Sequence, residues 1–129
     1  MRELSQWFKA LSEDLRLRIL ALMFRHGELC VCEVERVLAI SQSTASRHLR
    51  YLLNAGIVKD RREALWVYYR IAEPPDEAHA ALLTALKGAL AEVSVPDVTV
   101  ELEAMRSVRC APSGEPTAPA KPVTEKVGS

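Results

Sequence analysis

Ser41-Gln42-Ser43-Thr44-Ala45-Ser46-Arg47-His48-Leu49-Arg50-Tyr51-Leu52-Leu53-Asn54-Ala55-Gly56 is the stretch that decides the fold. Ser41 offers a short hydroxyl to the first free amides of a helix, and Gly56 supplies the left-handed stop. Between them Ala45, Leu49, Leu52 and Leu53 recur at helical spacing and form an inward face. Ser43, Ser46, Arg47 and Arg50 line the opposite side. The helix is apolar within, and presents hydroxyls and guanidinium groups outward.

Working upstream, Glu28 to Ile40 reads as a helix with Val34, Val37 and Leu38 on its apolar face. A short turn joins it to the decisive helix, the arrangement of a helix-turn-helix. Leu4, Trp7, Phe8 and Leu11 mark a first helix at i, i+3, i+4, i+7 spacing. Ser12 is the expected cap of the second, with Glu13 and Asp14 where carboxylates favour a helix start. Leu15, Ile19, Leu22 and Met23 give that helix its apolar face, and it is expected to end near His26-Gly27.

Downstream of Gly56 the period changes from 3.6 to 2. Ile57 to Arg61 and Leu65 to Ile71 read as a hairpin, although Arg62-Glu63-Ala64 lacks the Gly or Asn usual at a tight turn. Pro74-Pro75 breaks the chain, and Asp76 to Val93 reads as a long helix. Its Ala78, Leu82, Ala85, Leu86, Ala89, Leu90 and Val93 make more than one apolar stripe, so a second partner is expected: a copy of the same chain. The expected fold is mainly α with a β-hairpin wing, four helices preceding the hairpin and a fifth following it. Residues 1–93 are the expected folded and dimerising domain. Residues 94–110 are an extension read as carrying a short helix at 97–109, and residues 111–129, rich in proline and small polar residues, are an expected disordered tail.

The 129 residues suffice for one domain, and the formal net charge is zero. The charges are nevertheless uneven. From Gln42 to Arg70 stand Arg47, Arg50, Lys59, Arg61, Arg62 and Arg70 against only Asp60 and Glu63. Positive charge gathered on one helix and the adjoining hairpin suits the phosphates of double-stranded DNA. Gln42, Ser43, Ser46 and Arg47 are the expected readers of bases in the major groove. His48 and Arg50 are expected nearer the backbone, and Lys59, Arg61 and Arg62 are expected to grip phosphate from the wing.

The other chemistry-bearing stretch is Glu28-Leu29-Cys30-Val31-Cys32-Glu33. Two thiolates on a short segment can chelate a soft ion, whereas buried free thiols also serve as small hydrophobes. Residues two apart in a regular helix diverge by about 200°, so both cannot grip one ion inside an intact helix. Either the helix begins after Cys30 or binding unwinds its first turn. Three cysteines in total make a poor disulfide framework and point to a reducing cytosol. No apolar run reaches the roughly 20 residues of a membrane span. No nucleophile–base pair, phosphate loop or metal–carboxylate cluster suggests an enzyme or an organic cofactor.

Over residues 4 to 93 the chain resembles the ArsR/SmtB family of metalloregulatory repressors. Phe8 to Ser12 with Arg16 to Leu20 resembles the family's opening helices, Ser41 to Leu49 its recognition helix, and Glu28 to Cys32 its thiol metal box. The resemblance implies a cytoplasmic homodimer that binds a palindromic operator when metal-free and lets go on binding As(III) or Sb(III). The third cysteine of many arsenic boxes is replaced here by Glu35. The fifth helix has Asp76 and His79 but no later histidine, so a zinc site of the family's other type is not expected; single histidines such as His26 and His79 read as surface residues. As(III) prefers three sulfurs, which makes Cys110, from either subunit, the expected third ligand beside Cys30 and Cys32. A two-thiol site would suit a methylated arsenical instead. A thiol redox switch on the same pair is a further alternative, set back by the strain of closing so small a ring.

Overall fold

The computed structural model describes residues 2–92. Cys110, the expected extension and the expected tail lie outside the described residues, as does Val93. The elements in chain order are α1 (Arg2–Ala10), α2 (Asp14–His26), β1 (Leu29–Cys30), α3 (Val31–Leu38), α4 (Gln42–Ala55), β2 (Val58–Glu63), β3 (Trp66–Ile71) and α5 (Glu77–Leu90). The fold is mainly helical with one small antiparallel sheet, a winged helix-turn-helix.

Helix α2 is the hub. Ile19, Leu20, Ala21, Leu22 and Met23 are all buried, as expected of a helix packed on several sides. It meets α4, α5 and β3. Its cap is Glu13, whose Oε1 accepts from the Leu15 amide at 2.8 Å. The expected cap, Ser12, is instead committed to closing α1, its hydroxyl donating to the Lys9 carbonyl at 2.7 Å. On α1 the buried residues are Trp7 and Ala10, while Phe8 is 56% exposed.

Helix α4 has the expected limits. The Ser41 hydroxyl accepts from the Thr44 amide at 3.1 Å, and Gly56 closes the helix at φ 87°. Ala45, Leu49 and Leu52 are fully buried and pack toward α1, α2 and α3. Each large side chain so buried contributes roughly 1.5–3 kcal/mol. Between α3 and α4 the chain turns through Ala39, itself left-handed at φ 56°.

The segment before α3 departs from expectation. Glu28 to Ile40 is not one helix: Leu29 and Cys30 form a strand, and the helix runs only from Val31 to Leu38. β1 pairs antiparallel with β3, Leu29 opposite Tyr69 and Cys30 opposite Tyr68, giving sheet order β1-β3-β2. The partner strand lies almost forty positions downstream, so local periodicity carried no sign of it. The Cys30 amide, freed from any helix, donates to the Glu33 carboxylate Oε1 at 2.9 Å. The hairpin tip falls at Ala64-Leu65, since Glu63 pairs with Trp66. Ala64 takes the positive φ, 56°, that the missing glycine would have supplied.

Candidate thiol centre and nucleic-acid interface

The strand-to-helix junction sets the geometry of the cysteine pair. Cys30 is the residue before the first turn of α3, in extended conformation at φ −95°, ψ 168°. Its side chain is therefore free of the 200° divergence that a helix would impose. The two Sγ atoms lie 2.8 Å apart, Cys30 buried and Cys32 half-buried. The two sulfurs thus lie on one side of a short segment at the amide end of a helix, Cys32 the more exposed, an arrangement that could chelate a soft ion. Among the described residues no group of three or more Cys, His, Asp or Glu converges to hold a metal ion. The nearby carboxylates are engaged elsewhere: Glu33 with the Cys30 amide and Glu28 with Arg61.

On α4, Gln42, Ser43, Arg47 and Arg50 are exposed and Ser46 is partly so. Positions 43, 46, 47 and 50 share one helical face, turned away from the core. His48 does not lie on that face, contrary to expectation. It is only 4% exposed, and its Nδ1 faces the Arg16 guanidinium at 3.2 Å. Burial foremost, and then the positive charges of Arg47 and Arg16, hold the imidazole below its ordinary pKa, with Glu13 opposing. The ring is thus kept neutral, an acceptor for the arginine.

Arg16 was missed by sequence reasoning. Its Nε donates to the Ala10 carbonyl at 2.7 Å, and its guanidinium stacks 4.0 Å over the Tyr51 ring. It ties the carbonyl end of α1 to the core side of α4. A signal existed: Arg16, Ile19, Leu20 and Met23 fall at i, i+3, i+4, i+7, and all four are buried. An arginine heading an apolar stripe must bring its partners with it. His79 likewise is 4% exposed, not a surface residue. Its Nδ1 lies 2.6 Å from Asp76 Oδ1, and its ring meets Trp7 edge to face.

The wing cations divide by strand parity. Lys59 and Arg61 share a sheet face with Arg70 and Tyr68, while Arg62 points to the other face beside Val67. All three are exposed. Arg61 is bound on two sides. Glu28 takes its Nε and Nη2 at 2.7 and 2.8 Å, and Glu63 takes its Nη1. These carboxylates raise the arginine's already high pKa further.

A basic, exposed recognition helix beside a basic hairpin, on a helix-turn-helix frame, defines the class: a winged-helix regulator that binds DNA. Comparison with known proteins specifies the family. The family model "Bacterial regulatory protein, arsR family" matches residues 13–60. An arsenic resistance transcriptional regulator of Pseudomonas putida is 44% identical over 90 residues, 70% of each chain. A cadmium resistance transcriptional regulatory protein CadC homolog of Staphylococcus aureus is 43% identical over 81 residues, 63% of this chain and 64% of that one. The solution structure of a homodimeric winged helix-turn-helix DNA-binding domain from Mycobacterium bovis superposes with TM-score 0.58 at 33% identity, over 71% of this chain and 82% of that one. The chain belongs to the arsR family of bacterial regulatory proteins. It is a DNA-binding transcriptional repressor and not an enzyme. Among the described residues no helix is long and apolar enough to cross a membrane.

Proposed function

We propose that this repressor is a cytoplasmic homodimer that holds operator DNA when metal-free and releases it when As(III) or Sb(III) is bound by Cys30, Cys32 and Cys110. The observation that carries the reading is the convergence of the Cys30 and Cys32 sulfurs where β1 meets α3. In arsenite each thiol would displace one hydroxyl as water, leaving three As–S bonds and no change of oxidation state. The arsenic and cadmium resistance roles in the relatives' names support a thiol-seeking ion as the signal.

The route from signal to DNA is short. An ion held by Cys30 and Cys32 would sit between a residue paired in β1–β3 and one in the first turn of α3, so its binding bears on both elements. α3 packs against α4, and β3 is a wing strand, so both DNA-facing elements adjoin the thiols. On α4, Gln42, Ser43, Ser46 and Arg47 are the proposed base readers, with Arg50 on the backbone and Lys59, Arg61 and Arg62 on flanking phosphates. His48 is left out of this set because it faces Arg16. Dimerisation is supported by the exposed Phe8 on α1 and the exposed Ala78, Ala85 and Ala89 of α5.

Arsenic X-ray absorption on the loaded protein tests the ligand set. Three sulfurs in the wild type and two in Cys110→Ser are expected. Two in both would remove Cys110 from the site and favour a methylated arsenical as the signal. DNA release by peroxide, without arsenic, would favour the redox reading instead.

A further inference from the structure

Of the three cations of β2, Lys59 and Arg62 make no ion pair among the described residues, whereas Arg61 is engaged on two sides. Its principal partner comes from outside the hairpin. Glu28 stands just before β1, and continuing the β1–β3 register by one residue brings it opposite Arg70, which it approaches at 3.8 Å. Both Glu28 oxygens meet one edge of the Arg61 guanidinium, Oε2 on Nε at 2.7 Å and Oε1 on Nη2 at 2.8 Å. The guanidinium plane is also held over the Tyr68 ring at 4.7 Å. This two-pronged edge is the one by which arginine takes two oxygens of a phosphate.

We propose that Glu28 is an internal competitor for DNA phosphate, a carboxylate that occupies the Arg61 fork until a DNA backbone displaces it. The pair is partly exposed, with side-chain accessibilities of 45% for Arg61 and 27% for Glu28. Such pairs are weak, so the contact tunes DNA affinity and does not lock Arg61 away. Glu28 thereby lowers the grip of the wing on any sequence, and sharpens the dependence of binding on the contacts of α4. The inference rests on reading β2 as a phosphate contact.

The test uses the full chain and a short random-sequence duplex, because phosphate contacts do not depend on sequence. Glu28→Gln, close in shape and uncharged, is expected to tighten binding roughly two- to fivefold. The logarithmic salt dependence should change by well under one, because Arg61 meets a phosphate in both proteins once DNA is bound. In an Arg61→Gln background the same substitution should change neither quantity. Unchanged affinity in Glu28→Gln would overturn the proposal, as would an equal gain with Arg61 already removed. Should Glu28→Gln fail to fold, Glu28→Ala gives the same comparison. Arg62→Ala separates the two layers. If it leaves affinity and slope unchanged, the wing reading itself fails. If it weakens binding while Glu28→Gln does not tighten it, only the competition by Glu28 fails.

Discussion

Arg16 and His48 are where single residues matter most to the reading head. Arg16 brings a charge into the core, donates to the Ala10 carbonyl and faces His48 Nδ1. Arg16→Ala would strand a buried carbonyl and remove the stacking on Tyr51, at a cost of about 2 kcal/mol. Urea unfolding measures this. His48 adds a pH dependence whose sign is fixed by its lowered pKa. The unfolded chain takes up the proton first, so the histidine's contribution is complete above the ordinary value of 6.5 and declines as pH falls below it. Melting temperatures should therefore drop on acidification through pH 6, and the drop should be shallower in His48→Gln. A second backbone test lies at Gly56, at φ 87°. Gly56→Ala should cost roughly 1 kcal/mol through strain alone, because a Cβ there meets only Trp7 Nε1 at an ordinary 3.8 Å. At this scale the sequence was legible where a residue's role is local. Ser41 as cap and Gly56 as stop followed from their chemistry. His48 was misplaced because its position on the helix lies at the border between faces, and only the partner from α2 turns it inward.

The elements show the same division. α4 was readable to its ends because its pattern is internal: one apolar stripe, one cap, one glycine. β1 was not, since a strand of two residues exists only through β3. That hidden strand is what gives the thiols their geometry. The sequence posed the alternatives, a helix starting after Cys30 or one that unwinds, and β1 is the physical reason the first holds. The charge pattern exposed the wing cations, but strand pairing decides which are engaged. An expected consequence concerns α4 and β2 separately. Arg47→Ala should weaken operator binding and relax preference at particular base pairs. Arg62→Ala should weaken all duplexes alike and flatten the salt slope by about one. Anisotropy titrations on operator and random duplexes distinguish them; an identical effect on both duplexes from Arg47→Ala would remove it from base reading.

For the whole molecule, the fold joins three tasks through short paths. α1 and α5 carry apolar surface outward, α4 and the wing carry charge, and the thiols lie at the β1–α3 junction adjoining both DNA-facing elements. Leu86→Glu on α5 should shift the assembly to monomer in light scattering and weaken operator binding with it. The central claim is that an ion held by Cys30 and Cys32 loosens the grip on DNA. The most direct measurement is anisotropy of a labelled duplex from the repressor's own promoter region, bound under reducing conditions and titrated with arsenite. The wild-type complex should dissociate, and Cys30→Ser and Cys32→Ser should bind the same duplex equally well yet stay on it. Release of both variants at the arsenite concentration that releases the wild type would contradict the account.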